Sequence, residues 1–401
     1  MSHATHSALR PEQVALPATS LLARLPLIGL VLAIAGLGLG FSLRASNPRA
    51  FSLAWMNAYL FCLTLALGGL FFLLIQHATQ AGWSVAVRRI AEAVVGTMPV
   101  FALLFLPVLL GMQDLFPWAR PEAATEPLMK WKAPYLNVQF FVVRAVVYFV
   151  LWCAIALAYA RASRGQDRQA GTGASLRMRQ FAPPAILILA LTQTFAAIDW
   201  AMSLSPKWYS TVWGVYFFAG GFVGFFALLA LLAIPLARGP LHGIVTTEHL
   251  HDIGKHIFAF ICFWGYIGFC QFFLIWYGNI PEETAFYSVR LRGGWHGVSV
   301  FLGIGHFIIP FFYLMGRTVK RKPVFLAAGA VWVLLMHLLD IAWIVLPSSH
   351  PDGLRIGLVE IACYLAVGGI FLAGIGWNLK RQALVPTGDP RLGESLAFEV
   401  S

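Results

Sequence analysis

Residues 256–284 read HIFAFICFWGYIGFCQFFLIWYGNIPEET: an apolar, aromatic run that stops at Trp276-Tyr277-Gly278-Asn279 and places Pro281, Glu282 and Glu283 just beyond. About 20 apolar residues, rising 1.5 Å each as a helix, cross the roughly 30 Å of hydrocarbon in a bilayer. Trp and Tyr then fall at headgroup level, Gly-Asn stops the helix, and the two acids stand in water. The stretch reads as a membrane helix leaving the bilayer.

The same pattern recurs along the chain. Of its 401 residues, 59% are hydrophobic and only 11% charged, too few charges to cover the surface of a soluble domain of this size. Runs of spanning length lie at about 22–43, 51–76, 92–111, 134–160, 181–203, 211–237, 256–279, 294–316, 324–346 and 356–378. The expected fold is an all-α polytopic membrane protein of about ten transmembrane helices, with both ends of the chain on one side. Lys and Arg outside the runs are about twice as numerous in the tails and even-numbered loops as in the odd-numbered loops, which predicts cytoplasmic termini.

The resulting plan is an N-terminal tail (1–21), helices one to four (22–160), an Arg/Gly-rich cytoplasmic loop (161–180), helices five to ten (181–378) and a C-terminal tail (379–401). Helices two to five and six to nine are expected to form two four-helix bundles, with the first and last helices peripheral. The first twenty residues are polar and precede a run of full spanning length, so no cleavable signal is expected. The net charge of +11 could suggest nucleic acid. The basic residues instead cluster in short loops such as 317–323 and mark one membrane face, so the bilayer is the expected surface partner and nucleic acid is not.

Five cysteines, Cys62, Cys153, Cys262, Cys270 and Cys363, fall inside the runs with no CxxC or CxxCH pattern. Iron–sulfur, covalent haem and structural zinc sites are therefore not expected in this chain. No helix carries two histidines spaced for stacked haems, so redox centres are expected in partners. In the first helix, Gly36, Gly38 and Gly40 lie mid-membrane without a preceding strand, which reads as a close helix-packing surface rather than a nucleotide loop.

An ionisable side chain in hydrocarbon costs a few kcal/mol, so each one calls for a functional or packing explanation. Toward the outer side lie Arg144, Asp199, His296, Asp340 and Glu360, with His306 and His337 deeper. His337 and Asp340 are three residues apart on one helical face and read either as a proton relay or as a packing pair. Asp199, in an aromatic-lined outer surface, could accept a proton from a quinol hydroxyl or belong to an interfacial belt. Toward the cytoplasmic side stand His77, Glu92 and the cluster Glu248, His249, His251, Asp252, Lys255 and His256. That cluster reads as a hydrated proton antenna, with Asp252 capping the seventh helix, rather than as a metal site.

The stretches 130–149 (KWKAPYLNVQFFVVRAVVYF), 196–222 (AAIDWAMSLSPKWYSTVWGVYFFAGGF) and 251–284, with Trp295-His296, resemble the ActF-type membrane subunits of bacterial alternative complex III. Those subunits belong to the NrfD/PsrC-like family of quinol-interacting membrane proteins. The resemblance covers roughly residues 22–380, and its most specific blocks are Ile-Asp-Trp-(x)2-Ser and WYGN-x-PEE. It implies a bacterial inner-membrane quinol:cytochrome c oxidoreductase, with menaquinol or ubiquinol as substrate. The implied partners are an ActC-like membrane subunit, an iron–sulfur subunit, multihaem cytochrome c subunits and a terminal oxidase. In that picture Asp199, Arg144, His337 and Asp340 form an outer quinol and proton network. His77, Glu92, residues 248–256, His306, His296 and Glu360 serve a proton pathway, while Glu282 and Glu283 dock a partner or receive protons. A proton-coupled transporter and a structural subunit without chemistry of its own are the competing readings.

Overall fold

The structure, a computed structural model, describes residues 14–169, 171–348 and 350–399. Among them ten helices are long and apolar enough to cross a membrane. They are α1 (Leu21–Arg44), α2 (Pro48–Ala78), α3 (Val85–Leu110), α4 (Val138–Arg168), α5 (Thr172–Leu204), α6 (Trp213–Ala237), α7 (Thr247–Gly278), α8 (Gly293–Met315), α9 (Pro323–Ser348) and α10 (Leu358–Lys380). The chain is an all-α polytopic membrane protein. An even number of crossings puts the C-terminal segment and the start of α1 at the same end of the bundle, here called the terminal face.

The centre of the bundle is α2 against α6. Their most apolar windows are 83% and 89% buried, against 22–28% for α1, α7 and α8, which turn apolar side chains outward. Where α2 crosses α6 the backbones nearly touch: a Cβ on Gly68 would lie 2.8 Å from the Gly221 carbonyl oxygen. Helices α3 and α5 pack on α2, with α4 lying against α3 and α5, and α7 and α9 pack on α6, with α8 lying against α7 and α9. Helices α1 and α10 pair along their length. A Cβ on Gly36 would sit 2.3 Å from the Ala366 nitrogen, and one on Gly369 2.6 Å from the Ala33 nitrogen, so glycine permits the contact. Gly38, expected on the same packing surface, faces open space.

Helix ends follow local chemistry. The Asn47 side chain accepts from the Ala50 N–H at 3.0 Å, and Asn137 from Phe140 at 2.8 Å, capping α2 and α4. Asn279 adopts the left-handed conformation (φ 47°) and ends α7, as the Gly-Asn signal implies. A short helix, Pro281–Arg290, follows it, so Glu282 and Glu283 occupy a first helical turn rather than an irregular loop. Their charge there is favourable toward the helix N-terminus.

Two differences from the sequence reading concern the terminal face. The expected loop at 161–180 is mostly helix: α4 runs to Arg168 and α5 begins at Thr172. Arginine is a good helix former, and its long stem can lie along apolar surface while the charge reaches water. Likewise α7 begins at Thr247, nine residues before its apolar run, capped by Thr246 and His249 rather than by Asp252.

Two spans are interrupted. In α3 the helix breaks at Gly96-Thr97, and the Asn378 amide donates to the Ala93 carbonyl at 2.9 Å. In α8 residues Ile304–Ile308 form a π-turn just before Pro310, which lacks an N–H. There the Trp332 indole donates to the Gly305 carbonyl at 2.7 Å. Neighbouring helices thus satisfy the backbone freed at both breaks.

Candidate functional site

The polar residues inside the bundle gather into three clusters. The first lies between α4 and α5, toward the end opposite the terminal face. Arg144 Nε and Nη2 donate to Asp199 Oδ2 and Oδ1 at 2.8 and 2.9 Å, a bidentate pair, and Tyr148 donates to Oδ2 at 2.8 Å. The remaining Arg144 nitrogen donates to the Tyr135 carbonyl, and the guanidinium lies 3.9 Å from the Tyr135 ring centre and 4.4 Å from that of Phe140. Tyr135 stands in the loop ahead of α4, where burial and then the Asp199 carboxylate raise its phenol above the ordinary range. Asp199 is 0% exposed. With three donors already on its carboxylate, it ties α4 to α5, an arrangement that favours an ion-paired lock between helices over the expected quinol base.

The second cluster joins α2, α6, α7, α8 and α9 and is the candidate site. His337 and Asp340 both project from α9 and are buried, yet they do not hydrogen-bond to each other, so the direct relay pair expected from their spacing is not formed. Asp340 Oδ1 accepts from the Tyr216 hydroxyl in a short hydrogen bond, and Oδ2 accepts from the Trp264 indole at 3.1 Å. His337 Nε2 bonds Thr64 Oγ1 at 2.9 Å, while the Thr64 hydroxyl donates to the Phe61 carbonyl at 2.8 Å. That network makes Nε2 the donor and leaves Nδ1 as an acceptor without a partner among the described residues. Between the two side chains stands Gly220 of α6. A Cβ there would lie 3.1 Å from Asp340 Oδ2 and 3.2 Å from His337 Nδ1, so glycine keeps that space open.

His306 completes this cluster. It sits in the π-turn of α8, 0% exposed, its ring centroid 4.1 Å from that of Trp264, and neither ring nitrogen has a partner among the described residues. A fully buried imidazole without partners is costly unless it has work to do or water to bind.

From this cluster a cleft of about 410 Å³ opens between α7 and α8. Tyr216 and Trp264, the two donors to Asp340, line it together with Phe269, Phe272, Phe307 and Trp343. Gly265, Gly268 and Gly303 also line it; a Cβ would lie 2.7 Å from the Phe307 ring at Gly265 and 3.2 Å from the Tyr216 ring at Gly268, and would meet nothing within 4 Å at Gly303. Phe269 is 64% exposed on the outer surface, so the cleft faces the lipid side of the bundle. Next to it, Arg290 of the 281–290 helix donates to the carbonyls of Trp343 and Ile344 near the end of α9. Burial pushes its guanidinium down to about 9, which still leaves it charged at neutral pH.

The third cluster is at the terminal face. Glu92 pairs with Arg88 at 3.7 Å and Arg89 at 3.4 Å and accepts from Ser163 at 2.7 Å. Arg88 pairs in turn with Asp389 of the C-terminal segment, and Arg89 with Asp167 at the end of α4. His77 borders a cleft beside this network, next to the Tyr159 ring. The 248–256 residues form a separate group. His249 is wholly buried against Thr246 and Ser395; Glu248 pairs with Arg321; Asp252 pairs with Lys255; and His256 stacks between Trp83 and Phe226. His251 is buried with Nδ1 unpartnered among the described residues. These contacts pack the start of α7 against α6, the segment ahead of α3, the 317–321 helix and the C-terminal segment, which favours a packing role over the expected proton antenna.

Three expected pathway and docking sites stand apart. Glu360 accepts from the Gly357 N–H at 2.7 Å and caps α10. His296 is exposed at the start of α8, and Glu282 is exposed beyond α7. Among the described residues no three His, Cys, Asp or Glu side chains could together hold a metal ion. Sequence reasoning missed Tyr216, Trp264 and Thr64, which are not charged in their spans. It also missed Arg88 and Arg89, which it placed in a loop. The chain matches no protein-family model and no curated protein.

Proposed function

We propose that this chain is a membrane subunit of a bacterial quinol-oxidising complex of the alternative complex III type, with its termini in the cytoplasm. Its work is to take up quinol protons and pass them into the bundle. The observation that carries the reading is the aromatic, lipid-facing cleft whose inner wall is formed by the two donors to a buried carboxylate, Tyr216 and Trp264 on Asp340.

A ring lying in that cleft would present a hydroxyl to Tyr216. As the quinol is oxidised it releases two electrons and two protons. The protons pass by way of the Tyr216 hydroxyl to Asp340, and the electrons leave to iron–sulfur and haem c centres in partner subunits. Tyr216 already points its proton at Asp340, so accepting one from the quinol while donating its own moves the charge without moving a heavy atom. Onward transfer runs past Gly220 to His337 Nδ1, the open acceptor, with His306 as the other unpartnered base nearby.

A structural subunit without chemistry is the second reading, favoured by the saturated Arg144–Asp199 lock. A transporter with a mid-membrane substrate site is disfavoured, because the broken helices α3 and α8 have their freed carbonyls filled by Asn378 and Trp332.

The test is purification of the complex through a tag on this chain in mild detergent, with quinol-driven reduction of cytochrome c and a reduced-minus-oxidised spectrum. Co-purified haem c with inhibitor-sensitive activity is expected. A colourless, inactive preparation sinks the quinol reading. In active complex reconstituted into vesicles, Asp340→Asn is expected to lower the number of protons moved per electron; an unchanged ratio removes Asp340 from the pathway.

A further inference from the structure

At the terminal-face ends of α4 and α5 the two helices part to leave a groove of about 690 Å³. We infer that this groove binds one anionic phospholipid with a hydroxylated headgroup, phosphatidylglycerol or cardiolipin, its phosphate held between Arg161 of α4 and Arg177 of α5. This rests on the membrane-spanning fold and is independent of the quinol reading.

Three observations converge on that chemistry. The first is uncompensated charge. Arg161, Arg164, Arg168, Arg177 and Arg179 crowd these helix ends, and none of them is ion-paired among the described residues; Asp167, the acid in their midst, is engaged by Arg89. Arg161 and Arg177 both line the groove, one from each wall. Basic pockets between spans at the membrane surface are suited to anionic headgroups, each basic residue contributing roughly 1 kcal/mol near the surface.

The second is a stranded acceptor. Gln166 is 1% exposed and lines the groove. Its amide nitrogen donates to the Gly171 carbonyl at 2.8 Å and to Ser175 Oγ at 2.7 Å, which fixes the amide and leaves Oε1 buried without a partner among the described residues. A phosphodiester or fully ionised phosphate cannot satisfy a carbonyl oxygen, because both are acceptors. A glycerol hydroxyl attached to a phosphate can, which favours phosphatidylglycerol or cardiolipin over fully ionised phosphatidic acid.

The third is shape and polarity. A Cβ at Gly165 or Gly173 would meet nothing within 4 Å, so the headgroup end is open. Farther along, the walls are Ala158, Ala162, Met178 and Phe181, the last 65% exposed, a surface for acyl chains that a free phosphate would not use.

The experiment uses the full chain in nanodiscs of phosphatidylcholine, or in the mild detergent in which it is purified. It titrates phosphatidylglycerol, phosphatidic acid or inorganic phosphate and reads lipid retention by native mass spectrometry and the thermal midpoint. One retained phosphatidylglycerol per chain is expected, with a raised midpoint. Arg161→Gln/Arg177→Gln should weaken retention about 30-fold, the equivalent of two basic residues. Arg292→Gln/Arg355→Gln, exposed at the opposite end, should leave it unchanged. Gln166→Leu should lose the preference for phosphatidylglycerol over phosphatidic acid while keeping the charge-dependent part. The two arginines are exposed, so their loss does not threaten folding. Retention of phosphatidylcholine equal to that of phosphatidylglycerol overturns the inference, as does retention unaffected by Arg161→Gln/Arg177→Gln. A midpoint raised by inorganic phosphate alone, with no lipid retained, overturns it in favour of a free-anion site.

Discussion

Replacing Arg144 with Met separates a structural lock from a catalytic pair. In the native protein the Arg144 and Asp199 side chains are 9% and 0% exposed, joined by two hydrogen bonds, with the guanidinium also over two aromatic rings. Arg144→Met keeps the stem and removes the charge. Asp199 is left with Tyr148 as its remaining side-chain donor. Breaking a buried pair from one side costs about 3–5 kcal/mol, because the surviving charge has been desolvated without compensation. Asp199→Asn in the same chain removes that stranded charge and still offers a carbonyl oxygen to Tyr148. The double variant should therefore be more stable than Arg144→Met alone, with a coupling energy of at least about 2 kcal/mol. Equilibrium unfolding in mixed micelles, followed by tryptophan fluorescence, measures each free energy. The double variant should also retain quinol-driven turnover, per folded molecule, within about twofold of the native protein. A cost for Arg144→Met below about 1 kcal/mol, or simple additivity in the double variant, refutes the lock. Loss of turnover in a stable double variant would return Asp199 to the chemistry.

Two further substitutions test the packing and the open space beside Asp340. Gly220→Ala puts a methyl 3.1 Å from Asp340 Oδ2 and 3.2 Å from His337 Nδ1; it should slow proton-coupled turnover at least about tenfold, a barrier increase of about 1.4 kcal/mol, while shifting the thermal midpoint by only a few degrees. Full activity in that variant would show that no proton passes between the two. Gly36→Val drives a side chain into the α10 backbone and should lower the thermal midpoint markedly, whereas Gly38→Val, facing open space, should not; equal effects would contradict the α1–α10 pairing.

How much of this was legible in the sequence depends on which physical quantity carried each feature. Hydropathy sums over windows of about twenty residues, so it located the spans well and trimmed their charged ends. That is why α7 appeared to begin at His256 rather than Thr247, and why Arg88, Arg89 and the Arg-rich ends of α4 and α5 were assigned to loops. The stop at Asn279 was readable, because a left-handed residue after glycine is a local requirement. The pairing of His337 with Asp340 was misread because spacing gives a shared face and not a rotamer. Asp340 turns to Tyr216 and Trp264, and His337 to Thr64, all on other helices. No one-dimensional signal reports those partners, and a neutral Tyr or Thr in a span does not announce itself as an ionisable residue does.

The difference between the two outer clusters lies in their unused hydrogen-bonding capacity. Arg144 and Asp199 balance each other's charge, with all three Arg144 nitrogens and both Asp199 oxygens bonded; the Tyr135 hydroxyl beside them is the group there without a partner among the described residues. Around Asp340 the count is incomplete. His337 Nδ1 and both nitrogens of His306 lack partners among the described residues, close to a carboxylate reached through two donors that line a lipid-facing cleft. Leaving such polar groups unpartnered costs on the order of 1–3 kcal/mol each, which packing alone has no reason to retain when a leucine would fill the same space. A route for protons needs vacant acceptors, because a proton can move only to a site that does not already hold one. The stability forgone at His306 and His337 is the physical argument for placing the chemistry there, and for treating the bidentate Arg144–Asp199 ion pair as the frame that holds α4 and α5 in place.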